Sequence, residues 1–108
     1  MKQQRAEQTS DAHLADRFDR LAREWRSQKA PGMSLIEMAT TPAYQTIIGM
    51  GPSAIPFILR ELTLKLDHWF WALKAISGED PVPEQDRGNL AKMRKAWLKW
   101  GEKHGYGV

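Results

Sequence analysis

Few side chains in this sequence have the type and spacing that catalysis or metal binding requires. The three histidines, His13, His68 and His104, are scattered, and none pairs with a carboxylate at the spacing of a zinc site. Asp67 and His68 are adjacent, but neighbouring residues on a helix point about 100° apart, so Asp67 is interpreted as a helix N-cap. The chain has no cysteine and no serine in a nucleophile-elbow context. The sequence therefore predicts neither an enzyme nor a metal site.

One glycine-rich segment has the spacing of a dinucleotide-binding loop. Gly49-Met-Gly51-Pro-Ser-Ala54 fits the pattern G-x-G-x-x-G/A, which binds a pyrophosphate when a strand precedes it and a helix follows it. Residues 42–48 have the pattern of a helix, and no strand is predicted after the segment. It is therefore interpreted as a link between two helices, and no cofactor is predicted.

The last predicted helix carries a basic stripe along one side. It contains five cations, with four at helical spacing and one at the flank: Lys92, Lys95, Lys99 and Lys103, and Arg94. Lysines bind phosphates, and the nearby Trp97 and Trp100 have the chemistry to stack on bases. At about 100° per residue, however, the tryptophans lie about 120° around the helix from the lysines, as in an amphipathic helix with its tryptophans in the core. Nucleic-acid binding through the five cations is therefore the alternative function.

The run Trp69-Phe70-Trp71 is more apolar than an ordinary amphipathic helix requires. Trp71 points nearly opposite to Trp69, and a helix that is apolar on all sides is either central in its domain or covered by another molecule. We favour a central position, in which the N-terminal helix buries Trp71. In the other interpretation, a protein binds to Trp71, Lys74 and Ala75, and this protein is either a different chain or a second copy, which would form a homodimer.

The elements that position these residues are all predicted to be helices. Apolar residues at helical period predict a helix near residues 10–29, after a frayed segment at residues 1–9. A capping box at Ser34-Leu-Ile-Glu37 and a Thr41-Pro42 start predict two short helices, the second ending at Gly49. Helices at about 53–65, 67–77 and 89–104 follow, with N-caps at Ser53, Asp67 and Asn89.

Residues 51–76 carry the pattern of a known structural repeat. Gly51-Pro-Ser-Ala54-Ile-Pro56-Phe-Ile-Leu59-Arg-Glu-Leu62, followed by Ala72-Leu-Lys-Ala75-Ile, resembles one HEAT-type repeat. In that family Gly-x-x-Ala-x-Pro begins a first helix, and an alanine-rich second helix packs antiparallel to it. Together with the other predicted helices, the resemblance predicts an all-α fold: a compact bundle of four to five helices around a central HEAT-like antiparallel pair. The chain length predicts one domain over residues 10–108.

Composition narrows the class of function. At 108 residues, with 42% hydrophobic and 27% charged residues, the chain has the composition of one globular domain. The absence of cysteine favours the cytoplasm, and no apolar run approaches the length of a membrane span, so no membrane partner is predicted. The whole chain is also similar to a family of short bacterial proteins. Because HEAT-like proteins are scaffolds, the resemblance implies a bacterial, non-catalytic protein-binding module: an adaptor, an inhibitor or an antitoxin-type partner.

Overall fold

The computed structural model describes the backbone of residues 2–106 and the side chains of residues 12–106. Within these residues it has no strand, which confirms the all-α class. The six α-helices are α1 (Lys2–Gln28), α2 (Leu35–Ala39), α3 (Pro42–Gly49), α4 (Ile55–Leu64), α5 (Phe70–Ser77) and α6 (Leu90–Lys103). Two 3-10 helices, Gly51–Ala54 and Glu84–Asp86, precede α4 and α6.

The chain divides into two compact units, Met1–Met50 and Gly51–Val108. Helix α1 begins well before the predicted residue 10. The side chains of residues 1–9 lie outside the described part, so the predicted fraying of that segment stays a prediction. The single domain over residues 10–108 and the bundle of four to five helices also stay predictions.

Trp25 of α1 joins the three helices of the first unit. Its side chain is fully buried, and its ring lies 5.2 Å from the ring of Tyr44 in α3. Its Nε1 atom donates a hydrogen bond of 3.0 Å to the carbonyl oxygen of Met38 in α2. The Nζ atom of Lys29 lies 4.0 Å from the centre of the indole ring. One indole therefore fixes the positions of α2 and α3 against α1, through packing and a satisfied N–H group.

Helices α2 and α3 begin where the sequence predicts. The side chain of Ser34 accepts from the backbone N–H of Glu37, and the Glu37 carboxylate accepts from the backbone N–H of Ser34, both at 3.1 Å. This reciprocal pair confirms the capping box. Helix α3 starts at Pro42 after Thr41 and ends at Gly49, as predicted, although the Thr41 hydroxyl donates to the carbonyl of Met38 at 3.0 Å rather than capping α3.

Helix α4 packs against both α5 and α6 in the second unit. Helix α6 contributes Trp97 and Trp100 to the buried residues, and Gly101 is buried beside them. A Cβ atom at Gly101 would lie 2.5 Å from Cδ1 of Leu59 in α4, so only glycine fits without a shift of Leu59. The helices approach each other closely at this point because α6 has no side chain there.

Two of the predicted caps in the second unit are wrong. Ser53 lies inside the 3-10 helix, and α4 begins only after Ala54, because a tighter turn often precedes the first α-helical turn. Asp67 does not cap α5, since its Oδ1 atom accepts from the adjacent N–H of His68 at 2.8 Å. The helix begins at Phe70 instead.

The other predicted ends in this unit are confirmed. The side chain of Asn89 accepts from the N–H of Lys92 at 3.1 Å and caps α6. Gly78 ends α5 in the left-handed region, with φ of 73°, which a residue with a Cβ atom adopts only at a cost. The segment between α5 and α6 contains a single turn of 3-10 helix.

Replacement of Trp97 tests whether α6 belongs to the core. Trp97 is 1% exposed, so we expect Trp97→Ala to lower the free energy of unfolding by about 3–5 kcal/mol, measured by chemical denaturation. Lys99→Ala, on the exposed side of the same helix, is the control and should change it by less than about 0.5 kcal/mol. An unfolding curve for Trp97→Ala that matches the wild type would exclude α6 from the core.

Replacement of Gly101 tests the close approach of α6 to α4. Alanine favours a helix by up to about 1 kcal/mol over glycine, but its Cβ atom must displace the buried Leu59, and overpacking costs about 1–3 kcal/mol. We therefore expect Gly101→Ala to destabilise the protein. The control is Gly49→Ala, since a Cβ atom at Gly49 meets nothing within 4 Å and should be neutral or stabilising. A stabilised Gly101→Ala would show that the two helices are not in close contact.

Candidate functional site

Three consecutive aromatic residues around the start of α5 have different environments. Trp69 and Phe70 are buried, at 1% and 8% exposure, whereas Trp71 is 46% exposed. The expected burial of Trp71 is therefore wrong. The physical reason is that α5 directs its Ala72 and Leu73 side into the core, and this leaves the opposite side, with Trp71, in solvent.

Trp71 shares its side of α5 with the two other predicted protein-binding residues. Lys74 and Ala75 are exposed and follow Trp71 at i+3 and i+4, so the three residues form one surface, here called the Trp71 face. The Nζ atom of Lys74 lies 3.7 Å from Oδ2 of Asp80, which also accepts from Nη2 of Arg87 at 3.3 Å. The Lys74 side chain is 64% exposed, so this ion pair is weak. The face therefore presents an indole beside a largely solvated cation.

The predicted basic stripe on α6 is only partly assembled. Its four lysines are exposed, but Arg94 is half-buried and lies about 100° or more around the helix from each of them. The prediction that Arg94 flanks the stripe is therefore wrong. Trp97 and Trp100 are buried, as the amphipathic interpretation predicts, so the structure does not bring these tryptophans onto the lysine side.

An acidic segment, residues 79–86, approaches both ends of α6. Oε2 of Glu79 lies 3.8 Å from Nε2 of His104, at the end of the helix. Oδ1 of Asp86 lies 3.8 Å from Nζ of Lys92, in its first turn. The Lys92 charge is therefore partly balanced within the chain. Sequence reasoning missed these two contacts, because each depends on the path of the irregular segment before α6, which no helical period predicts.

The indole of Trp100 lies in an aromatic cluster at the end of α6. His104 and Tyr106 stack on it with ring centres 4.5 and 5.7 Å away, and Trp97 meets it edge-on at 5.1 Å. The Trp100 side chain is 7% exposed, and its buried Nε1 atom has no hydrogen-bond partner among the described residues. The i, i+4 spacing of Trp100 and His104 is the signal that sequence reasoning missed. The cluster leaves Trp100 unavailable for stacking on a ligand.

Other surface features carry less chemistry. Leu35 and Ile36 of α2 and Leu64 at the end of α4 are exposed apolar residues that sequence reasoning did not single out. An open groove of about 510 Å³ lies along α1. Its lining residues are charged or polar and all belong to that helix: His13, Asp16, Arg17, Asp19, Arg20 and Arg23. Within residues 12–106 no group of histidine and carboxylate side chains could hold a metal ion.

No single described helix is both long enough and apolar enough to cross a membrane. The consecutive segments Pro42–Gly49 and Gly51–Leu64 reach the required length and composition only when taken together.

Comparison of the chain with protein-family models, with curated proteins and with solved structures found no match in any of the three. Two exposed surfaces are therefore the candidate sites: the Trp71 face and the lysine side of α6.

Proposed function

We propose that the chain is a non-catalytic protein-binding module whose partner covers the Trp71 face. The observation that supports this most is the 46% exposure of Trp71 between the buried residues Phe70 and Ala72. Tryptophan is enriched at the few interface positions that carry most of the binding energy. A half-exposed indole offers a large apolar surface for such an anchor.

The size of the exposed indole sets the expected contribution to binding. Nearly half of a tryptophan side chain is on the order of 100 Å², and covering it contributes roughly 2–3 kcal/mol. The neighbouring Lys74 favours a partner with a carboxylate beside its apolar contact, because Asp80 balances the Lys74 charge only weakly. The partner is therefore a protein surface with an apolar pocket and an acidic rim.

The same proposal includes a HEAT-like pair formed by α4 and α5. The two helices contact each other and are joined by the short segment 65–69, and Ala54 and Pro56 stand at the start of the first, as in a HEAT-type repeat. In this arrangement the pair is central to a compact helical bundle, and α5 presents its outer side to the partner. The role is that of an adaptor, an inhibitor or an antitoxin-type partner in a bacterial cytoplasm.

Trp71→Ala tests the proposal. Because the side chain is half-exposed, we expect the midpoint of thermal unfolding to change little, while the affinity for the partner falls about 30- to 150-fold. Partners are captured from native cells with tagged wild-type protein and identified by mass spectrometry. Their affinities for both forms are then measured by titration calorimetry, and analytical ultracentrifugation tests a second copy as the partner.

Leu64→Ala is the matched control, since Leu64 is an exposed apolar residue outside the Trp71 face. It should bind the captured partner as the wild type does. Equal affinity of Trp71→Ala and wild type, or strong destabilisation by Trp71→Ala, would contradict the proposal.

A further inference from the structure

Three lysines of α6 form a second exposed surface that is separate from the Trp71 face. Lys95, Lys99 and Lys103 lie on the side of α6 opposite to its buried residues, and this surface is here called the lysine face. At about 1.5 Å and 100° per residue, they span about 12 Å along the helix within a sector of about 80°. The spacing places the three lysines in a row along one side of the helix.

The charge of this row is not balanced within the described part of the chain. Lys74 and Lys92 have Asp80 and Asp86 within ion-pair distance, whereas no described residue forms an ion pair with the three lysines of the row. Glu102 is the single acidic residue of α6. The lysine face is therefore a local excess of positive charge that suits a polyanion.

The chemistry around the row indicates which polyanion. Proteins that bind single strands combine cations with aromatic rings for base stacking, but both tryptophans of α6 are buried. The lysine ammonium is a point charge that suits phosphate oxygens, and contacts to phosphates carry no sequence information. A duplex carries about one charge per 1.7 Å of its axis, so a row of about 12 Å meets several phosphates at once. We propose that the lysine face binds the phosphate backbone of duplex nucleic acid without sequence preference.

The salt dependence of binding is the most specific signature of such contacts. Each phosphate neutralised contributes about 0.9 to the slope of log K against log salt concentration, so the three lysines together contribute up to about 2.7. Binding should be measurable at low salt, weaken steeply as salt rises, and be equal for duplexes of different sequence.

The test measures fluorescence anisotropy of a labelled duplex DNA of about 20 base pairs between about 50 and 200 mM salt. The variant Lys95→Gln/Lys99→Gln/Lys103→Gln should reduce the slope by about 2 to 2.7 and the low-salt affinity at least tenfold. The matched control, Arg17→Gln/Arg20→Gln/Arg23→Gln, removes the same charge from the exposed side of α1, where Asp16 and Asp19 alternate with the arginines. It should reduce the slope by less than about 1. Circular dichroism checks the helix content of both variants.

The proposal would be overturned if the wild type showed no salt-dependent binding, or if the two triple variants lost equal amounts of slope and affinity. Tighter binding to a single strand, to polyglutamate or to phosphatidylserine vesicles than to the duplex would also overturn it. Trp71→Ala should bind the duplex as the wild type does. This result separates the lysine face from the proposed protein-binding function.

Discussion

The close approach of α6 to α4 determines which residues of the second unit can meet another molecule. Gly101 has no side chain, and a Cβ atom there would overlap Leu59 of α4. Once this side of α6 is inward, the helical period places Trp97 and Trp100 among the buried residues and the lysines in solvent. The exposed lysines of α6 therefore have no exposed tryptophan of that helix beside them. This separation is why phosphate contacts, rather than base stacking, fit the lysine face.

Helix α5 is also buried on one side only, and this has a different result for its aromatic residues. Helix α5 has eight residues, and its buried side carries Ala72 and Leu73, so an aromatic residue on the opposite side has no place in the core. Trp71 is that residue. The acidic segment between α5 and α6 lies within ion-pair distance of Lys74 and Lys92 and partly balances their charge, but it pairs with none of the three lysines of the lysine face. Packing and ion pairing together thus define an aromatic surface for a protein and a cationic surface for a polyanion.

Features that depend on a few neighbouring residues were predictable from the sequence. The capping box at Ser34 and the N-cap at Asn89 need only hydrogen bonds within three residues, and both form. Asp67 failed as a cap because its carboxylate serves the adjacent N–H group, a local alternative of the same kind. The environment of Trp71 could not be predicted, because it depends on which side of α5 other elements cover. The ion pair of Lys92 with Asp86 likewise required the path of an irregular segment.

All five tryptophans lie in the described part of the chain; Trp71 is half-exposed, and the other four are buried. Both proposed surfaces depend on this difference in exposure. Fluorine NMR of protein labelled with 5-fluorotryptophan measures this difference directly, through the change of each resonance between H₂O and D₂O. We expect a large solvent shift at one of the five resonances and its disappearance in Trp71→Phe. A strongly shifted resonance that survives in Trp71→Phe would show that a tryptophan assigned to the core is exposed, and would contradict the account.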